Sequence, residues 1–409
     1  MDLGDIQDLM IPEGESILLL VLDGLGGLPR EPGGPTELEA ARTPHLDALA
    51  DAGGCGLHWP VAPALTPGSG PGHLSLFGFD PLRYRIGRGV LEALGVEFDL
   101  RPGDVAVRGN LCTVAPDGRV IDRRAGRIPT EEAVLVCEAL DAIDVPGGQV
   151  FVQAVKEHRF LLVLRLDEPT GASIGDTDPG RPDELPLPVE AKDEDSEPAA
   201  RVVRAWLDQV PGAIGERERA NMALLRGFSQ QPDWPRFPDV YGLRSLAVAA
   251  YPMYRGVARL VGMDAIEVPD GPGHLLDALR EHGAKRDFVF LHVKATDKTG
   301  EDGDFDGKVA AIEAVDALVP DLLEAYPGVQ LVTGDHSTPA TMRSHSWHPV
   351  PFLLHGGPTR GSARASTPGA TGGGFGESSC AAGRLGLIRG CEMMPLAMSR
   401  AGRLAKFGA

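Results

Sequence analysis

The stretch ILLLVLDG at residues 17–24 decides the fold class. Its first six residues are apolar without alternation, which is typical of a strand buried on both faces of a parallel sheet. Similar apolar runs occur at residues 288–293, 331–332 and 352–354, and segments with helical periodicity lie between them. We therefore predict an α/β fold with a mostly parallel sheet flanked by helices, in which all four runs are parallel strands.

Acidic and imidazole side chains follow three of these strands. Asp23 ends the first run, Asp297 follows the second, and Asp335 with His336 follows the third. Ligands of open α/β sheets bind beyond the carboxyl ends of the strands, so we expect these side chains to converge. Mixed carboxylate and imidazole ligands suit Mn²⁺, Zn²⁺ or Mg²⁺, and the number of groups is right for two ions. The whole set is Asp23, Asp297, Glu301, Asp335, His336 and His345.

The length of 409 residues exceeds one average domain. The predicted secondary structure also changes in the middle of the chain. Residues 105–107, 111–114 and 160–166 are strand-like, and Asp117-Gly118 is a turn signal. We predict a smaller α+β domain inserted into the α/β domain. The predicted parts are residues 1–97, the insert at 98–230, and residues 231–409.

The charge balance excludes two classes of partner. The chain has 39 Lys and Arg against 58 Asp and Glu, a net charge of -19, which would repel nucleic acid and anionic membrane surfaces.

The apolar run at residues 17–22 is too short to span a bilayer, and no targeting pattern precedes it. We expect a cytoplasmic protein with five reduced cysteines and with neither nucleic acid nor membrane as a partner.

A hydroxyl framed by glycines and prolines lies in TPGSGPGH at residues 66–73. This frame exposes Ser69 and lets a ligand approach the backbone, although a surface turn is the simpler interpretation of the segment alone. Pro67 and Pro71 occupy the outer positions of the esterase Gly-x-Ser-x-Gly elbow, which excludes that motif. Ser-x-Pro-x-His is similar to a sulfatase core, but His73 stands where an arginine is expected.

An alternative cation site matches the EF-hand loop template. The context argues against calcium, because the preceding segment is a strand followed by Thr299-Gly300 and not an entering helix. The matching positions are Asp302, Asp304, Asp306, Gly307 and Glu313.

Arginines are concentrated in the insert. Arg123, Arg124 and Arg127 lie beside a glycine in a chain that is acidic overall. A small anionic substrate that carries phosphate or carboxylate would explain this excess through bidentate hydrogen bonds. The wider set is Arg108, Arg123, Arg124, Arg127, Arg159, Arg226 and Arg255.

Together these motifs resemble the archaeal-type, cofactor-independent phosphoglycerate mutases of the alkaline phosphatase superfamily. The resemblance runs nearly end to end. It rests on the segments VLDG at 21–24, TPGSGP at 66–71, Gly109-Asn110, DRRAGR at 122–127, DTDP at 176–179, YPMY at 251–254, KATD at 294–297, TGDHSTP at 333–339 and His345-Ser346.

The resemblance implies an alkaline-phosphatase-like fold and an isomerase that interconverts 3-phosphoglycerate and 2-phosphoglycerate. It further implies two divalent metal ions (Mn²⁺, Mg²⁺ or Zn²⁺), no requirement for 2,3-bisphosphoglycerate, and a transiently phosphorylated Ser69. It leaves the oligomeric state open. One ion would be held by Asp23, Ser69, Asp335 and His336, and the other by Asp297 and His345.

The resemblance also assigns residues that contact the substrate. Asp122 would exchange a proton with the substrate or bind its hydroxyl. Two positions depart from the family pattern: Glu301 replaces a common histidine, although glutamate can also be a ligand, and Arg255 replaces a common lysine. The alternatives are a metal-dependent phosphomonoesterase or other phosphotransferase of the superfamily, and an inactive binding module. The implied substrate arginines are Arg108, Arg123, Arg127, Arg159, Arg226 and Arg255.

Overall fold

The structure is a computed structural model that describes residues 2–357 and 373–408. Its strands, in chain order, are β1 (Ile17–Leu22), β2 (Gly54–Trp59), β3 (Val105–Val114), β4 (Val120–Asp122), β5 (Gly148–Lys156), β6 (Arg159–Leu166), β7 (Met222–Gln230), β8 (Ser245–Ala249), β9 (Asp264–Glu267), β10 (Phe288–Val293), β11 (Val329–Thr333), β12 (Val350–His355) and β13 (Gly386–Arg389). The α-helices are α1 (Leu3–Leu9), α2 (Glu37–Ala40), α3 (Pro44–Ala52), α4 (Ser69–Leu76), α5 (Arg88–Gly95), α6 (Thr130–Asp141), α7 (Glu197–Ile214), α8 (Phe237–Tyr241), α9 (Pro252–Leu260), α10 (Pro272–His282), α11 (Ala295–Asp302), α12 (Phe305–Asp316), α13 (Val319–Ala325), α14 (Glu377–Ala381) and α15 (Met393–Arg400).

The chain divides into two compact units, residues 1–85 with 234–409 and residues 86–233. The first unit contains an eight-stranded sheet in the order β13-β2-β12-β11-β1-β10-β8-β9. Strands β11, β1, β10, β8 and β9 run parallel to one another. Both β1 and β10 are buried along their whole length, which agrees with their almost continuously apolar sequences. The predicted α/β class with a mostly parallel sheet flanked by helices is confirmed.

The direction of strand β12 differs from the prediction. It pairs antiparallel with β11 and with β2, although its apolar run predicts a parallel strand. A parallel neighbour requires a crossover connection, usually a helix, whereas residues 334–349 between β11 and β12 contain no helix. The chain therefore re-enters the sheet from the edge at which β11 ends.

Pro320 lies at the start of a separate helix. Helix α12 ends at Asp316, and α13 starts at Val319 with the proline in its first turn, where a missing N–H has no cost. Among the described residues, no helix is both long enough and apolar enough to cross a membrane.

The second unit is built on an antiparallel five-stranded sheet. Strand β3 lies between β6 and β7, β5 pairs with β6, and β4 pairs with the end of β3. The two predicted strand-like pieces at 105–107 and 111–114 form this single long strand β3. Helix α5 packs on β3 and β7 in this unit, although the predicted boundary between residues 97 and 98 lies after it. The division into domains at 98 and 230 stays a prediction.

Candidate functional site

Three neighbouring parallel strands bring the predicted acidic residues together in the first unit. Strand β1 lies between β11 and β10, so the loops at their carboxyl ends are adjacent. Asp23 follows β1, Asp335 and His336 follow β11, and Asp297 lies in the first turn of α11 after β10. All four side chains are fully buried.

Two glycines allow these loops to approach so closely. A Cβ atom on Gly24, whose φ is +66°, would lie 2.6 Å from the Thr338 hydroxyl and 2.8 Å from Oδ1 of Asp297. A Cβ atom on Gly72 in α4 would lie 2.5 Å from the carbonyl oxygen of Asp335. Any larger residue would therefore push the β1 loop or helix α4 away from the site.

The first of two ligand groups consists of Asp23, Asp335 and His336. Nε2 of His336 lies 3.3 Å from Oδ1 of Asp23 and 3.3 Å from Oδ2 of Asp335. Ser69, the first residue of α4, places its hydroxyl oxygen 3.1 Å from the same nitrogen. The hydroxyl that looks like part of a surface turn in the sequence thus reaches this group.

The second group consists of Asp297, His336 and His345. Nε2 of His345 lies 3.7 Å from Oδ1 of Asp297 and 3.7 Å from Oε1 of Glu301. The imidazole rings of His336 and His345 stack with their centroids 3.7 Å apart. Glu301 thus faces His345, but its side chain is 54% exposed, whereas Asp297 is fully buried.

Hydrogen bonds fix which nitrogen of each histidine carries the proton. The Thr338 hydroxyl lies 2.7 Å from Oδ1 of Asp297 and 3.0 Å from Nδ1 of His336. A carboxylate only accepts, so Thr338 donates to Asp297 and accepts from Nδ1–H of His336. Nδ1 of His345 likewise donates to the carbonyl oxygen of Pro67 at 3.0 Å. Both Nε2 atoms are therefore left with lone pairs directed at carboxylate oxygens.

Cations fit this arrangement of acceptors. Oδ1 of Asp23 is buried and accepts no hydrogen bond from the described part of the chain. A lone pair facing a carboxylate oxygen is repulsive unless a positive charge lies between them. The nitrogen and oxygen donors match Mn²⁺, Zn²⁺ or Mg²⁺, and the two groups match two ions.

Three further side chains hold the opposite carboxylate oxygen of Asp23. Oδ2 accepts from Nε2 of His292 at 3.0 Å, from Nζ of Lys294 at 3.0 Å, and from the hydroxyl of Tyr254. Lys294 also bonds Oδ2 of Asp297 at 2.5 Å and so links both groups. The Asp23 carboxylate thus uses Oδ2 for structural bonds and turns Oδ1 toward His336.

The sequence patterns predict no role for these three residues. Tyr254 and Lys294 lie inside motifs that carry the family resemblance, which was the available signal, whereas His292 is one polar residue within an apolar strand. Although burial acts in the opposite direction, the carboxylates of Asp23 and Asp297 raise the pKa of Lys294. Lys294 therefore stays charged and offsets part of the negative charge of the buried carboxylates.

The predicted substrate arginines of the insert line one cavity in the second unit. Its volume is about 360 Å³, and it lies between the β3 and β7 strands, the β5–β6 hairpin and the loop after β4. The net charge of its lining is strongly positive in a protein of net charge -19. Such a cavity suits an anion with more than one charged group. The lining residues are Arg108, Asn110, Arg123, Arg124, Arg127, Lys156, Glu157, His158, Arg159 and Arg226.

Asp178 fixes one wall of this cavity. Its oxygens accept two hydrogen bonds of 2.7 Å from Nε and Nη2 of Arg123, and Nη1 of Arg226 lies 3.4 Å away. Burial opposes ionisation, but the hydrogen bond from Arg123 lowers the pKa of Asp178. The carboxylate therefore orients two arginines while the remaining guanidinium donors of Arg123 stay available to a ligand.

Two predicted site residues have other partners. Asp122 accepts hydrogen bonds from the backbone N–H of Arg124 at 2.8 Å and of Gly126 at 2.6 Å, which shapes the arginine loop. Arg255 lies in α9 of the first unit, where its guanidinium bonds the carbonyl oxygen of Ala249 at 3.0 Å and Oε2 of Glu267 at 3.1 Å. Arg255 lies in the first unit and the cavity arginines lie in the second, so its contact with a substrate stays a prediction.

The context predicted for the EF-hand template is wrong, because helix α11 leads into it. The template nevertheless does not form a calcium loop, since helix α12 already begins at Phe305. Asp302 ends α11, and the Asp304 carboxylate accepts a hydrogen bond from the backbone N–H of Gly307 at 2.9 Å as the N-cap of α12. The Asp306 carboxylate is paired with Arg30 at 2.6 Å. These oxygens therefore act in helix capping and ion pairing.

Comparisons with known proteins give one consistent result. The family model described as 2,3-bisphosphoglycerate-independent phosphoglycerate mutase matches residues 50–217. A Thermus thermophilus protein named a probable enzyme of this kind is 49% identical over 99% of this chain and 98% of its own length. An Aquifex aeolicus protein of the same name is 45% identical over 99% of both chains.

Solved structures agree with these sequence relatives. The cofactor-independent phosphoglycerate mutase of Thermoplasma acidophilum is 30% identical with a TM-score of 0.74, and the match covers 95% of this chain and 100% of that one. A Pyrococcus horikoshii structure is 29% identical with a TM-score of 0.77 over 97% and 100% of the two chains.

Proposed function

Because the chain belongs to the 2,3-bisphosphoglycerate-independent phosphoglycerate mutase family, a family of isomerases, we propose that it interconverts 3-phosphoglycerate and 2-phosphoglycerate through a phosphorylated Ser69. One observation carries the proposal. The Ser69 hydroxyl lies 3.1 Å from a histidine nitrogen that also faces two buried carboxylates, the environment that a phosphoryl-accepting serine needs.

Metal ligation would divide between the two groups. We propose that Asp23, Ser69, Asp335 and His336 hold one divalent ion and that Asp297 and His345 hold the other, with Glu301 as a further ligand. When bound, the ions would neutralise the phosphoryl oxygens and lower the pKa of the serine hydroxyl. Mn²⁺, Mg²⁺ and Zn²⁺ all suit these donors.

The side chains around the ligands would keep this geometry constant. Thr338 holds the Nδ1–H of His336, and Pro67 holds that of His345, so both rings keep their Nε2 lone pairs toward the site. Lys294 spans Asp23 and Asp297 and would keep these carboxylates at a fixed separation. Such outer contacts set ligand orientation and affinity.

The arginine cavity has the complementary chemistry for the rest of the substrate. After Ser69 takes the phosphoryl group, glycerate must be retained and must present its other hydroxyl, which requires a firm hold on its carboxylate. Arg108, Arg123, Arg127, Arg159 and Arg226 are the proposed contacts. Arg255, whose guanidinium bonds Ala249 and Glu267 in the first unit, stays a predicted contact.

The released glycerate oxygen needs a proton. Asp122 remains our predicted group for this exchange or for binding the hydroxyl. Its hydrogen bonds to the backbone N–H of Arg124 and of Gly126 support an additional part in holding the arginine loop. Replacing Asp122 by Asn would keep one acceptor oxygen and would show whether the carboxylate itself is needed.

The proposal is tested by incubating the metal-loaded protein with 3-phosphoglycerate. We expect 2-phosphoglycerate to form without added 2,3-bisphosphoglycerate and without release of inorganic phosphate. Stoichiometric accumulation of inorganic phosphate would instead identify a phosphomonoesterase, in which water takes the second transfer. Absence of both products in the presence of each candidate metal would leave only a binding module.

A further inference from the structure

Two buried polar side chains in the arginine cavity have atoms without a partner. Oδ1 of Asn110 and Nδ1 of His158 are buried and make no hydrogen bond within the described ranges of the chain. The two residues are only 8% and 7% exposed, and both line the cavity. An unpaired buried polar group is costly, so a ligand that supplies the missing hydrogen bonds would be favoured.

The hairpin between β5 and β6 brings His158 to the cavity. Lys156 pairs with Arg159, so Glu157 and His158 form a two-residue turn, and Glu157 has a φ of +52°. The backbone N–H of Glu157 donates to the Thr130 hydroxyl at 3.0 Å, which holds the turn in place. A non-glycine residue in the left-handed region costs about 1 kcal/mol, and such strain is often found at functional sites.

Asn110 reaches the same cavity from the adjacent strand. It lies opposite Arg159 in the pairing of β3 with β6, next to the hairpin turn. Its amide offers both a donor and an acceptor. The cavity thus contains a pair of uncharged hydrogen-bonding groups among guanidinium groups.

Arginine and lysine side chains are donors only, so they can satisfy phosphate and carboxylate oxygens but cannot accept the proton of a hydroxyl. Burial, together with the positive charges of Arg124 and Arg159, lowers the pKa of His158 against the opposing effect of Glu157. The imidazole is therefore neutral near pH 7 and has an acceptor nitrogen. Glu157 is the other acceptor of the turn, but its carboxylate would repel an anionic substrate.

We propose that Asn110 and His158 form a hydroxyl-recognition pair, which binds the free hydroxyl of phosphoglycerate while the arginines bind its anionic groups. The inference rests on the proposed function and adds a basis for specificity. Both phosphoglycerate isomers carry one free hydroxyl, which distinguishes them from small phosphorylated carboxylates that lack a hydroxyl. A site built to hydrogen-bond a hydroxyl discriminates strongly against a ligand that lacks it.

The test compares two ligands that differ only in that hydroxyl. Calorimetry measures the binding of 3-phosphoglycerate and of 3-phosphonooxypropanoate, which lacks the hydroxyl, to metal-loaded protein carrying Ser69→Ala to prevent turnover. We expect this protein to prefer 3-phosphoglycerate at least about tenfold. His158→Phe and Asn110→Leu, which keep the approximate size of each side chain, should each reduce the preference to about twofold or less.

Arg108→Met is the matched control, because Arg108 lines the same cavity and would bind the anionic groups. It should weaken both ligands by the same factor and leave the preference unchanged. If either recognition variant fails to fold, the other decides the result. A preference that persists in the folded variants, or equal binding of the two ligands before these changes, overturns the proposal.

The failure of this proposal is distinguishable from failure of the proposed function. Conversion of 3-phosphoglycerate to 2-phosphoglycerate by the unmodified protein, with the ligand preference unchanged in both variants, would reject the recognition pair alone. If the unmodified protein forms no 2-phosphoglycerate and the Ser69→Ala protein binds neither ligand, both proposals are rejected.

Discussion

Nε2 of His336 faces Oδ1 of Asp23 across 3.3 Å, although neither atom carries a proton. Thr338 fixes the proton of His336 on Nδ1, and Oδ1 of Asp23 accepts no hydrogen bond from the described part of the chain. Two buried acceptors at this distance repel each other, and a cation bound beside both atoms would relieve this repulsion. The relationship therefore supports metal binding independently of any relative.

Replacing Thr338 by Val should weaken metal binding without removing a ligand. The two side chains have the same shape, but valine can neither accept from Nδ1 of His336 nor donate to Asp297, so the ring loses its fixed orientation. We expect Mn²⁺ affinity to fall about 10- to 100-fold, measured by electron paramagnetic resonance titration of free Mn²⁺.

Thr299→Val is the matched control for this change. The Thr299 hydroxyl donates only to helix carbonyl oxygens, those of Ala295 at 2.8 Å and Thr296 at 3.1 Å. We expect its Mn²⁺ affinity to stay within about twofold of the unmodified protein. Equal losses of affinity in the two variants would contradict a specific role for Thr338.

Replacing Ser69 by Ala should abolish phosphoryl transfer while most of the metal stays bound. The hydroxyl is the proposed acceptor, whereas the carboxylates and imidazoles remain, so we expect kcat to fall at least about 10³-fold. Conversion of 3-phosphoglycerate and metal content by atomic absorption are the two measurements. Ser399→Ala, on the exposed side of α15, is the control and should keep full activity. Substantial residual transfer in the Ser69 variant would refute the nucleophile assignment.

Replacing Asp178 by Asn should raise KM about tenfold, because Arg123 loses its charged partner and its fixed orientation in the cavity. Asp104→Asn provides a close control, since Asp104 accepts hydrogen bonds of 2.9 Å and 2.6 Å from Nε and Nη2 of Arg165, which does not line the cavity.

Both substitutions remove the charge from a buried partner of an arginine, so we expect each to lower the free energy of unfolding by about 1–2 kcal/mol. Steady-state kinetics and urea unfolding separate the two effects. A KM that rises equally in the Asp104 variant would show that the effect reflects general destabilisation of the unit.

The free energy of unfolding should fall in acid, partly because His58 must be buried in its neutral form. Burial lowers the pKa of this histidine from 6.5 to about 4, while the carbonyl oxygen of Gly334 acts in the opposite direction. The unfolded chain therefore binds more protons between these pH values. The contribution of neutral His58 to the free energy of unfolding is fully present above pH 6.5 and is lost as the pH falls through 4. The free energy of unfolding changes by about 3 kcal/mol over this range.

Urea unfolding in the presence of a chelator, between pH 4 and pH 7, measures this contribution. His58→Gln keeps a donor for the Gly334 carbonyl oxygen but does not titrate, so its free energy of unfolding should depend less steeply on pH. The exposed His45 provides the control His45→Gln, which should follow the unmodified protein. Identical slopes for His58→Gln and the unmodified protein would contradict the prediction.

Local sequence was sufficient for the central architecture. Strand β1 is a continuous apolar run, and β10 is apolar except for His292. Because ligands bind beyond the carboxyl ends of parallel strands, the sequence also predicted that Asp23, Asp297 and Asp335 would meet. The direction of β12 could not be predicted, because a buried strand has the same apolar pattern in either direction. Direction depends on the connection that precedes the strand, which here has no helix.

The chain's own residue types and their order therefore determined the α/β class, the set of candidate ligands and the excess of arginine in the insert. The tertiary structure alone decided which atom of each side chain is left without a partner. In the folded protein, Oδ2 of Asp23 accepts a hydrogen bond from Lys294, whereas Oδ1 faces His336. Asn110 and His158 line the arginine cavity. The reason is physical: hydrogen-bond partners in these sites come from segments far apart in the chain, and their pairing is fixed only when the strands and loops pack.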